Sequence, residues 1–429
     1  MRSFWKCKEK RNPYKWAPAL ALMDFIHMAL IGFVCILSTL SSKFLLKFMT
    51  AKSGTAIASS ALWTFPAVLG SALIIAWAAE VAQFLVSQGF ALAVLAWLQT
   101  LPEFAVEAVI AWNQDIPNMM ANFTGSNRLL VGVGWPLIFF TAAFFYRKHT
   151  GKFLREIKLE DEHSVEVIAL LVPTIYFIIV WVKETLDIFD SAALFTMYFV
   201  YLIVLMKIPA KTEDETDILT GIPKQVMKYS MSTRKFFVVF MFLLGGVILY
   251  FVAEPFFQSM KALAIVFGIE TFVFVQWVAP FMSEFPEKVS AFYWARTIRL
   301  APMALMNMVS SKINQWTILA SMIPIIYSLS VGHVSSIPLD NMHRIEIMLT
   351  IVQSILALLY IADMKFNWHN AIVLFVLWFF QFVVPHLRDE IIFVYLFFIA
   401  VELIYNGRNI NVFSKFAKTM KRHRMFGIS

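Results

Sequence analysis

Two short motifs constrain the fold of this chain more than any other feature, because each places a proline and a glutamate inside an apolar segment. The first is Pro102–Glu103, and the second is Pro286–Glu287, about 184 residues further on. Inside a membrane, the proline removes a helix hydrogen bond and the glutamate has to be desolvated. A polar helical segment follows each motif, starting near Asn122 in one case and near Asn307 in the other. Because each Pro-Glu pair costs free energy at membrane depth, its presence at two corresponding places indicates an ion site built from an internal repeat.

The composition is that of a polytopic membrane protein. Of the 429 residues, 60% are hydrophobic and 15% are charged, whereas soluble domains carry about 25% charged residues. A helix needs roughly 20 apolar residues to cross a bilayer. Twelve such runs can be counted, at roughly 19–40, 62–86, 88–112, 115–146, 164–183, 187–207, 235–253, 262–294, 300–328, 345–363, 369–385 and 390–406. We therefore predict an all-α membrane protein with about 12 spans.

The spacing of related segments predicts two inverted repeats of five helices, with one extra transmembrane helix at each end. Residues 186–199 resemble residues 366–379, at a separation close to that of the two Pro-Glu motifs. The number of spans between corresponding elements is odd, so the two repeats have opposite orientations in the membrane. The predicted domains are the basic N-terminus and first span (1–61), the first repeat (62–207, motif 98–130), a linker (208–234), the second repeat (235–385, motif 282–315), and the last span with a basic tail (386–429).

The net charge of +8 comes from basic clusters at 2–15, 147–158, 207–235 and 408–424, which twelve spans place on one side of the membrane. The positive-inside rule assigns this side, with both termini and the linker, to the cytoplasm. The clusters then serve topology and contact with lipid headgroups, and no nucleic-acid partner is expected. We expect a multi-pass protein of a bacterial inner membrane. Its oligomeric state is left open.

Other classes of protein lack support in the sequence. Cys7 and Cys35 are too few for a disulfide framework or a metal site. No nucleotide-binding loop, nucleophile–base pair or metalloprotease motif is visible, so neither an ATP-driven pump nor an enzyme is expected. No cofactor is expected beyond a transported cation.

The two Pro-Glu motifs place candidate ligands for a cation at membrane depth. Pro102 cannot donate a hydrogen bond to the carbonyl of Leu98, and Pro286 cannot donate to that of Met282. Such freed carbonyls persist at this depth only where they line a cavity or meet a ligand. Together with carboxylates and hydroxyls, they are the oxygen ligands that hard cations prefer.

Helical spacing adds further polar residues to these faces. Each of four sets of polar residues is spaced by about one helical turn, so its members share a helix face. The first repeat has Gln99, Glu103 and Glu107 in one set and Asn122 with Ser126 in another; the second repeat has Ser283, Glu284 and Glu287, and then Asn307, Ser311 and Gln315. A glutamate among amides and hydroxyls can exchange a proton for a metal ion. Two facing carboxylates favour this exchange, because a cation between them relieves their repulsion.

The motifs resemble those of the calcium:cation antiporter superfamily, which includes the sodium/calcium exchangers. Its two alpha-repeats carry G-T-S-x-P-E and, further along, G-N-x-x-G-S-N. Residues 100–103 and 122–127 match the first repeat well, and residues 283–287 with 307–311 match the second more loosely. The resemblance covers residues 62–385 and implies ions bound midway between two inverted repeats, with alternating access. By position it implies Glu103 and Glu287 as central calcium-binding carboxylates, with Thr100, Ser126, Ser283 and Ser311 as flanking oxygen ligands.

The sequence departs from the family pattern at charged positions. Arg128 and Lys312 stand beside the motifs, and Glu284 stands where the family usually has serine or threonine. Four residues past each motif serine, where the family has a polar or acidic residue, the chain has Leu130 and Gln315. These departures leave the counter-ion open between sodium and protons.

We expect a secondary active antiporter that exchanges calcium, or a related cation, for sodium or protons. The alternative is a non-transporting scaffold or regulator of the same fold, in which Arg128 and Lys312 neutralise the carboxylates. The direction in which these two basic side chains point distinguishes the two hypotheses.

Overall fold

A computed structural model of the chain describes residues 59–210, 221–266, 279–384 and 387–423, together with Ile57, Leu219 and Gly268. The predicted first span at 19–40, both cysteines and the acidic part of the linker lie outside these residues. Part of the predicted span 262–294 also lies outside them.

The described chain is almost entirely helical. The helices of the first half are α1 (Ala61–Ala82), α2 (Gln88–Gln99), α3 (Leu101–Trp112), α4 (Ile116–Leu129), α5 (Trp135–Thr150), α6 (Ser164–Lys183) and α7 (Ile188–Met206). Those of the second half are α8 (Gly221–Val226), α9 (Met231–Val266), α10 (Ala279–Ser283), α11 (Phe285–Ala295), α12 (Ala301–Asn314), α13 (Ala320–Val331), α14 (Asn341–Ile361) and α15 (Trp368–Val383). The C-terminal part adds α16 (Arg388–Asn406) and α17 (Val412–Arg422). Seven helical segments of the described residues are long and apolar enough to cross a membrane, as expected for an all-α multi-pass protein.

Four short strands define the relation between the two halves. They are β1 (Glu156–Lys158), β2 (Thr185–Leu186), β3 (Ile337–Pro338) and β4 (Lys365–Asn367). Strand β1 precedes α6 and pairs antiparallel with β4, which follows α14; β2 follows α6 and pairs with β3, which precedes α14. The start of α6 therefore lies at the same end of the bundle as the end of α14. Because α6 and α14 each follow the helices that carry the Pro-Glu and π-helix segments of their half, the pairing shows that the two halves are inverted.

Short π-helices occur at matching places in both repeats. Leu130–Gly134 joins α4 to α5, and Gln315–Leu319 joins α12 to α13. A π-helix inserts an extra residue into a helix and turns the side chains of that segment, which is why it is often found at functional sites. Gly132 lies so close to Trp378 that an added Cβ would be 2.2 Å from this side chain. The close packing at the first π-helix therefore requires glycine.

Polar side chains cap the start of four helices. Ser87, Asp115, Asp187 and Asp340 begin helices by accepting hydrogen bonds from backbone N–H groups of the first turn. The predicted span 235–253 agrees with the apolar segment Met231–Val252, and helix α9 continues beyond it to Val266 through Pro255. An interior proline removes one hydrogen bond but does not by itself end a helix in a membrane protein.

The C-terminal helix α17 packs beside the start of α6. Lys415 forms an ion pair of 2.8 Å with Asp161, and Thr419 donates a hydrogen bond of 3.3 Å to the backbone carbonyl of the same residue. The end of the described chain therefore lies on the same side of the bundle as the basic loop at 147–158.

Candidate cation site

Each Pro-Glu motif lies at the start of a half-helix in the interior of the bundle. Helix α2 ends at Gln99, Thr100 caps it, and α3 starts again at Leu101. The second motif repeats this arrangement, with Glu284 between α10 and α11. Glu103 and Glu287 consequently lie in the first turns of their half-helices, where the helix dipole and the backbone N–H groups favour negative charge.

Glu103 is fully buried and is held by an amide of the other repeat. Gln315 Nε2 lies 3.2 Å from its Oε1 and 3.1 Å from its Oε2. The hydroxyl of Ser126 is also within reach of this carboxylate. Gln315 is the first residue of the second π-helix, so the backbone irregularity places its amide against the first Pro-Glu motif.

Glu287 is also fully buried, but its surroundings differ. Within the described residues, no group donates a well-directed hydrogen bond to either of its carboxylate oxygens. The Ser311 hydroxyl lies nearby and, like Asn307 Oδ1, has no hydrogen-bond partner there. A buried carboxylate without a donor is costly. These orphaned oxygens therefore form the part of the site best suited to an ion.

Three further hydrogen bonds connect polar residues near the two glutamates, one within the first repeat and two between the repeats. Asn122 Nδ2 donates to Glu107 Oε2 at 2.6 Å, one turn beyond Glu103 on α3. Gln99 Nε2 donates to Ser290 Oγ at 2.6 Å, and Gln99 Oε1 accepts from Asn307 Nδ2 at 3.3 Å. Gln99 thus contacts the second repeat as Gln315 contacts the first, and the site lies between the repeats.

The other predicted hydroxyl ligands are bonded within their own helices. Thr100 Oγ1 donates to the carbonyls of Ala96 and Trp97, both at 3.0 Å, and Ser283 Oγ donates to that of Pro280 at 3.2 Å. Ser126 Oγ donates to the carbonyl of Phe123 at 3.1 Å. Each hydroxyl keeps oxygen lone pairs, so these bonds are compatible with a role as ligand.

Sequence reasoning missed one basic residue. Lys288 Nζ lies 2.6 Å from Glu284 Oε2, and both side chains are buried. Glu284 Oε1 accepts a hydrogen bond of 3.0 Å from Gln315 Nε2. Glu284 is therefore neutralised by a neighbour on the next helix turn, unlike Glu287. The i,i+4 spacing of an acid and a lysine inside an apolar segment was the signal available in the sequence.

The two basic residues of the alternative hypothesis make other contacts. Arg128 forms a buried ion pair with Glu346 on α14, which also lies 2.5 Å from Arg388. Lys312 Nζ donates to Asn127, at 3.0 Å to its carbonyl and 3.3 Å to its Oδ1. Neither contact involves Glu103 or Glu287, although Lys312 is near enough to Glu284 for their charges to interact. This geometry therefore does not favour a site in which Arg128 and Lys312 lock Glu103 and Glu287.

Few acidic side chains lie together around the two half-helix glutamates. In the part of the chain that the structure describes, no group of three or more histidine, cysteine, aspartate or glutamate side chains could hold a metal ion. Glu103, Glu284 and Glu287 are nevertheless close enough for their charges to interact. Each repeat thus contributes one buried half-helix glutamate, Glu103 or Glu287, that forms no ion pair within the described residues.

Comparison with known proteins agrees with this architecture. A search of curated protein sequences found no significant match. The solved structure of the H+/Ca2+ exchanger CAX is similar, with 30% identity, a TM-score of 0.77, and coverage of 94% of this chain and 98% of that chain. The sodium-calcium exchanger NCX_Mj has the same fold, at 18% identity and a TM-score of 0.58, covering 77% of this chain and 98% of that one.

The family model described as sodium/calcium exchanger protein matches residues 55–207 and 237–385. These two segments coincide with the two inverted repeats and contain both Pro-Glu motifs. The match covers well over half of the chain, and the family consists of cation transporters and not of enzymes. The chain therefore belongs to the sodium/calcium exchanger protein family.

Proposed function

We propose that this antiporter exchanges calcium, or a closely related divalent cation, for protons, with Glu103 and Glu287 as the charged ligands. The observation that carries the proposal is the buried pair of half-helix glutamates, one from each repeat. The carboxylate of Glu287 receives no well-directed hydrogen bond among the described residues, although the Ser311 hydroxyl lies nearby. A carboxylate in that position needs a cation or a proton, and these are the two species that such an antiporter exchanges.

The available ligands favour a hard divalent cation. Calcium takes six to eight oxygen ligands in flexible geometry. Two carboxylates match its charge, and the oxygens of Ser311 and Asn307 that have no hydrogen-bond partner among the described residues add neutral ligands. Among the described residues, the site contains carboxylate, amide and hydroxyl groups and no cysteine or histidine, which argues against a softer transition metal.

Protons are proposed as the counter-ion for two reasons. A solved structure that matches 94% of the chain is that of an exchanger of H+ and Ca2+. In addition, Gln315 provides an amide where family members often have an acid, so the site has fewer charges with which to hold several sodium ions. Sodium is the alternative counter-ion, and the transport assay separates the two.

Transport would follow from the inverted repeats. Because the repeats have opposite orientations, the same ligands can be exposed first on one side of the membrane and then on the other. The basic loop at 147–158 and the C-terminal helix lie on one side of the bundle, and we propose that this side is the cytoplasmic face of a bacterial inner membrane.

The test is uptake of radioactive calcium into proteoliposomes under an outward proton gradient and, separately, an outward sodium gradient. We expect uptake with the proton gradient and its loss in the Glu103→Gln/Glu287→Gln double variant. The matched control is Glu80→Gln, since Glu80 is buried but accepts a hydrogen bond of 2.7 Å from Trp294. Calcium uptake driven only by the sodium gradient would show that the counter-ion is sodium and not the proton. Uptake that persists in the double variant would refute the assignment of the ligands.

A further inference from the structure

Lys288 lies beside the candidate site, where a positive charge directly affects a bound cation. Its ammonium group is 2.6 Å from Glu284 Oε2 and 5.3 Å from the centre of the Phe281 ring. Lys288 follows Glu287 directly in the chain, and its side chain is only 5% exposed. The residue therefore forms part of the second Pro-Glu motif in space as well as in sequence.

The pair formed by Lys288 and Glu284 is linked to the proposed ligands through one amide. Gln315 Nε2 donates to Glu284 Oε1 at 3.0 Å and to both oxygens of Glu103. Glu284 thus has a cation on one oxygen and an amide on the other. Because both oxygens are engaged, Glu284 does not need an ion, whereas Glu287 has neither kind of partner among the described residues.

The difference between these two neighbouring glutamates has an electrostatic consequence. Inside a protein, charges interact several times more strongly than in water, so the net charge around a site governs which ion it binds. Without Lys288, a third carboxylate would face the ion. When Lys288 is present, its ammonium group compensates the charge of Glu284. Because this group is part of the protein, it is not exchanged as a transported ion would be.

We infer that Lys288 is a built-in counter-charge that sets the ion capacity and selectivity of the site. It neutralises Glu284, so that Glu284 positions Gln315 and is not itself a ligand of the transported cation. Glu107, one turn beyond Glu103, is held by the amide of Asn122. The two half-helix glutamates, Glu103 and Glu287, remain as the proposed ligands, and together they match the charge of one divalent ion. This inference rests on the proposed function, since it concerns the cation held by these two glutamates.

A double-variant cycle tests the inference by calcium binding to the purified protein. In Glu284→Gln the charge of Lys288 is left unopposed, and we expect calcium affinity to fall at least about tenfold. In Glu284→Gln/Lys288→Met both charges are gone, and we expect affinity to return to within about threefold of the wild type. Thermal unfolding of the same variants without calcium separates the two roles, because a purely structural pair would make the loss and recovery of affinity follow the loss and recovery of stability.

The single variant Lys288→Met provides a second readout and covers the case in which Glu284→Gln does not fold. It frees a third carboxylate, whose negative charge attracts a divalent ion more strongly than a monovalent one, so we expect calcium affinity to rise at least about threefold and sodium to compete less effectively than in the wild type. The matched control is the pair of Lys183 and Asp190, which are 2.5 Å apart and lie away from the Pro-Glu motifs. Lys183→Met/Asp190→Asn should leave both readouts unchanged.

The outcomes separate this inference from the proposed function. If the double variant binds calcium as weakly as Glu284→Gln, Glu284 is itself a ligand and the inference is wrong. Unchanged affinity in Glu284→Gln or unchanged sodium competition in Lys288→Met would also overturn it. A wild-type protein that binds no calcium would instead refute the proposed function, and the inference with it.

Discussion

The two halves of the site have the same backbone but different electrostatics. In both repeats a half-helix starts with a proline as its second residue and a glutamate as its third, and a π-helix starts four residues past the motif serine. Yet Glu103 receives an amide on both oxygens, whereas Glu287 receives no well-directed donor within the described residues. The π-helices explain part of this difference, since one begins with Gln315 and the other with Leu130.

This difference suggests a division of roles between the repeats. The repeats provide two equivalent backbone positions for carboxylates. Differences in the surrounding side chains hold one carboxylate, Glu103, by hydrogen bonds and leave the other, Glu287, without them among the described residues. We expect Glu103 to be oriented before the ion arrives and Glu287 to depend on the ion for its stabilisation. The following variants test that distinction, in order of their expected effect on calcium binding.

Replacing the unpartnered carboxylate should have the largest effect. Glu287→Gln removes one of the two charges, and we expect calcium affinity to fall at least about a hundredfold, or about 3 kcal/mol. Because a buried carboxylate without donors is costly, the variant should be more stable than the wild type in the absence of calcium. Calcium titration and thermal unfolding in the presence of a chelator measure the two effects.

Glu166→Gln serves as the control for this prediction. Glu166 is also buried, with one oxygen that lacks a hydrogen-bond partner, but it lies at the start of α6. Its amide variant should bind calcium as the wild type does. Normal calcium binding by Glu287→Gln would contradict the asymmetry between the repeats.

Removing the amide that holds Glu103 should have an intermediate effect. Gln315→Leu abolishes hydrogen bonds to two carboxylates, and bonds to charged groups contribute about 1.5–3 kcal/mol each. Part of this loss can be recovered by water or by the ion itself, so we expect about a tenfold weaker calcium affinity. Gln381→Leu is the control, because Gln381 is buried but bonds to Tyr395 at 2.7 Å. Equal effects of the two variants would show that Gln315 has no specific role.

Breaking the ion pair of Arg128 should have the smallest effect on calcium binding. Arg128→Met leaves Glu346 with a single basic neighbour, and breaking a buried pair costs about 3–5 kcal/mol of stability. We therefore expect a lower midpoint of thermal unfolding but a calcium affinity within about threefold of the wild type. A large gain in calcium affinity would show instead that Arg128 opposes the ion, as the scaffold hypothesis requires.

The sequence predicted the architecture because its signals are local and repeated. Long apolar runs determine helices in a bilayer, and the duplicated Pro-Glu pair marked both half-helices, since proline and glutamate at membrane depth require special surroundings. The family resemblance found from these residues is confirmed by the matched segments. The sequence did not indicate that α9 continues beyond its apolar span through Pro255, because tertiary packing decides whether a helix continues past proline.

The partners of each charge were decided only by the tertiary structure. Arg128 and Lys312 lie next to the motifs in sequence, and yet their helix faces direct them to Glu346 and Asn127. Gln315 reaches Glu103 across more than two hundred residues of chain, through the packing of the inverted repeats and a π-helix that no sequence period indicates. Sequence thus determined which polar residues enter the membrane. The packing of the two repeats determined which of them remain unpaired and available to an ion, since the cost of a buried charge depends on its neighbours in space.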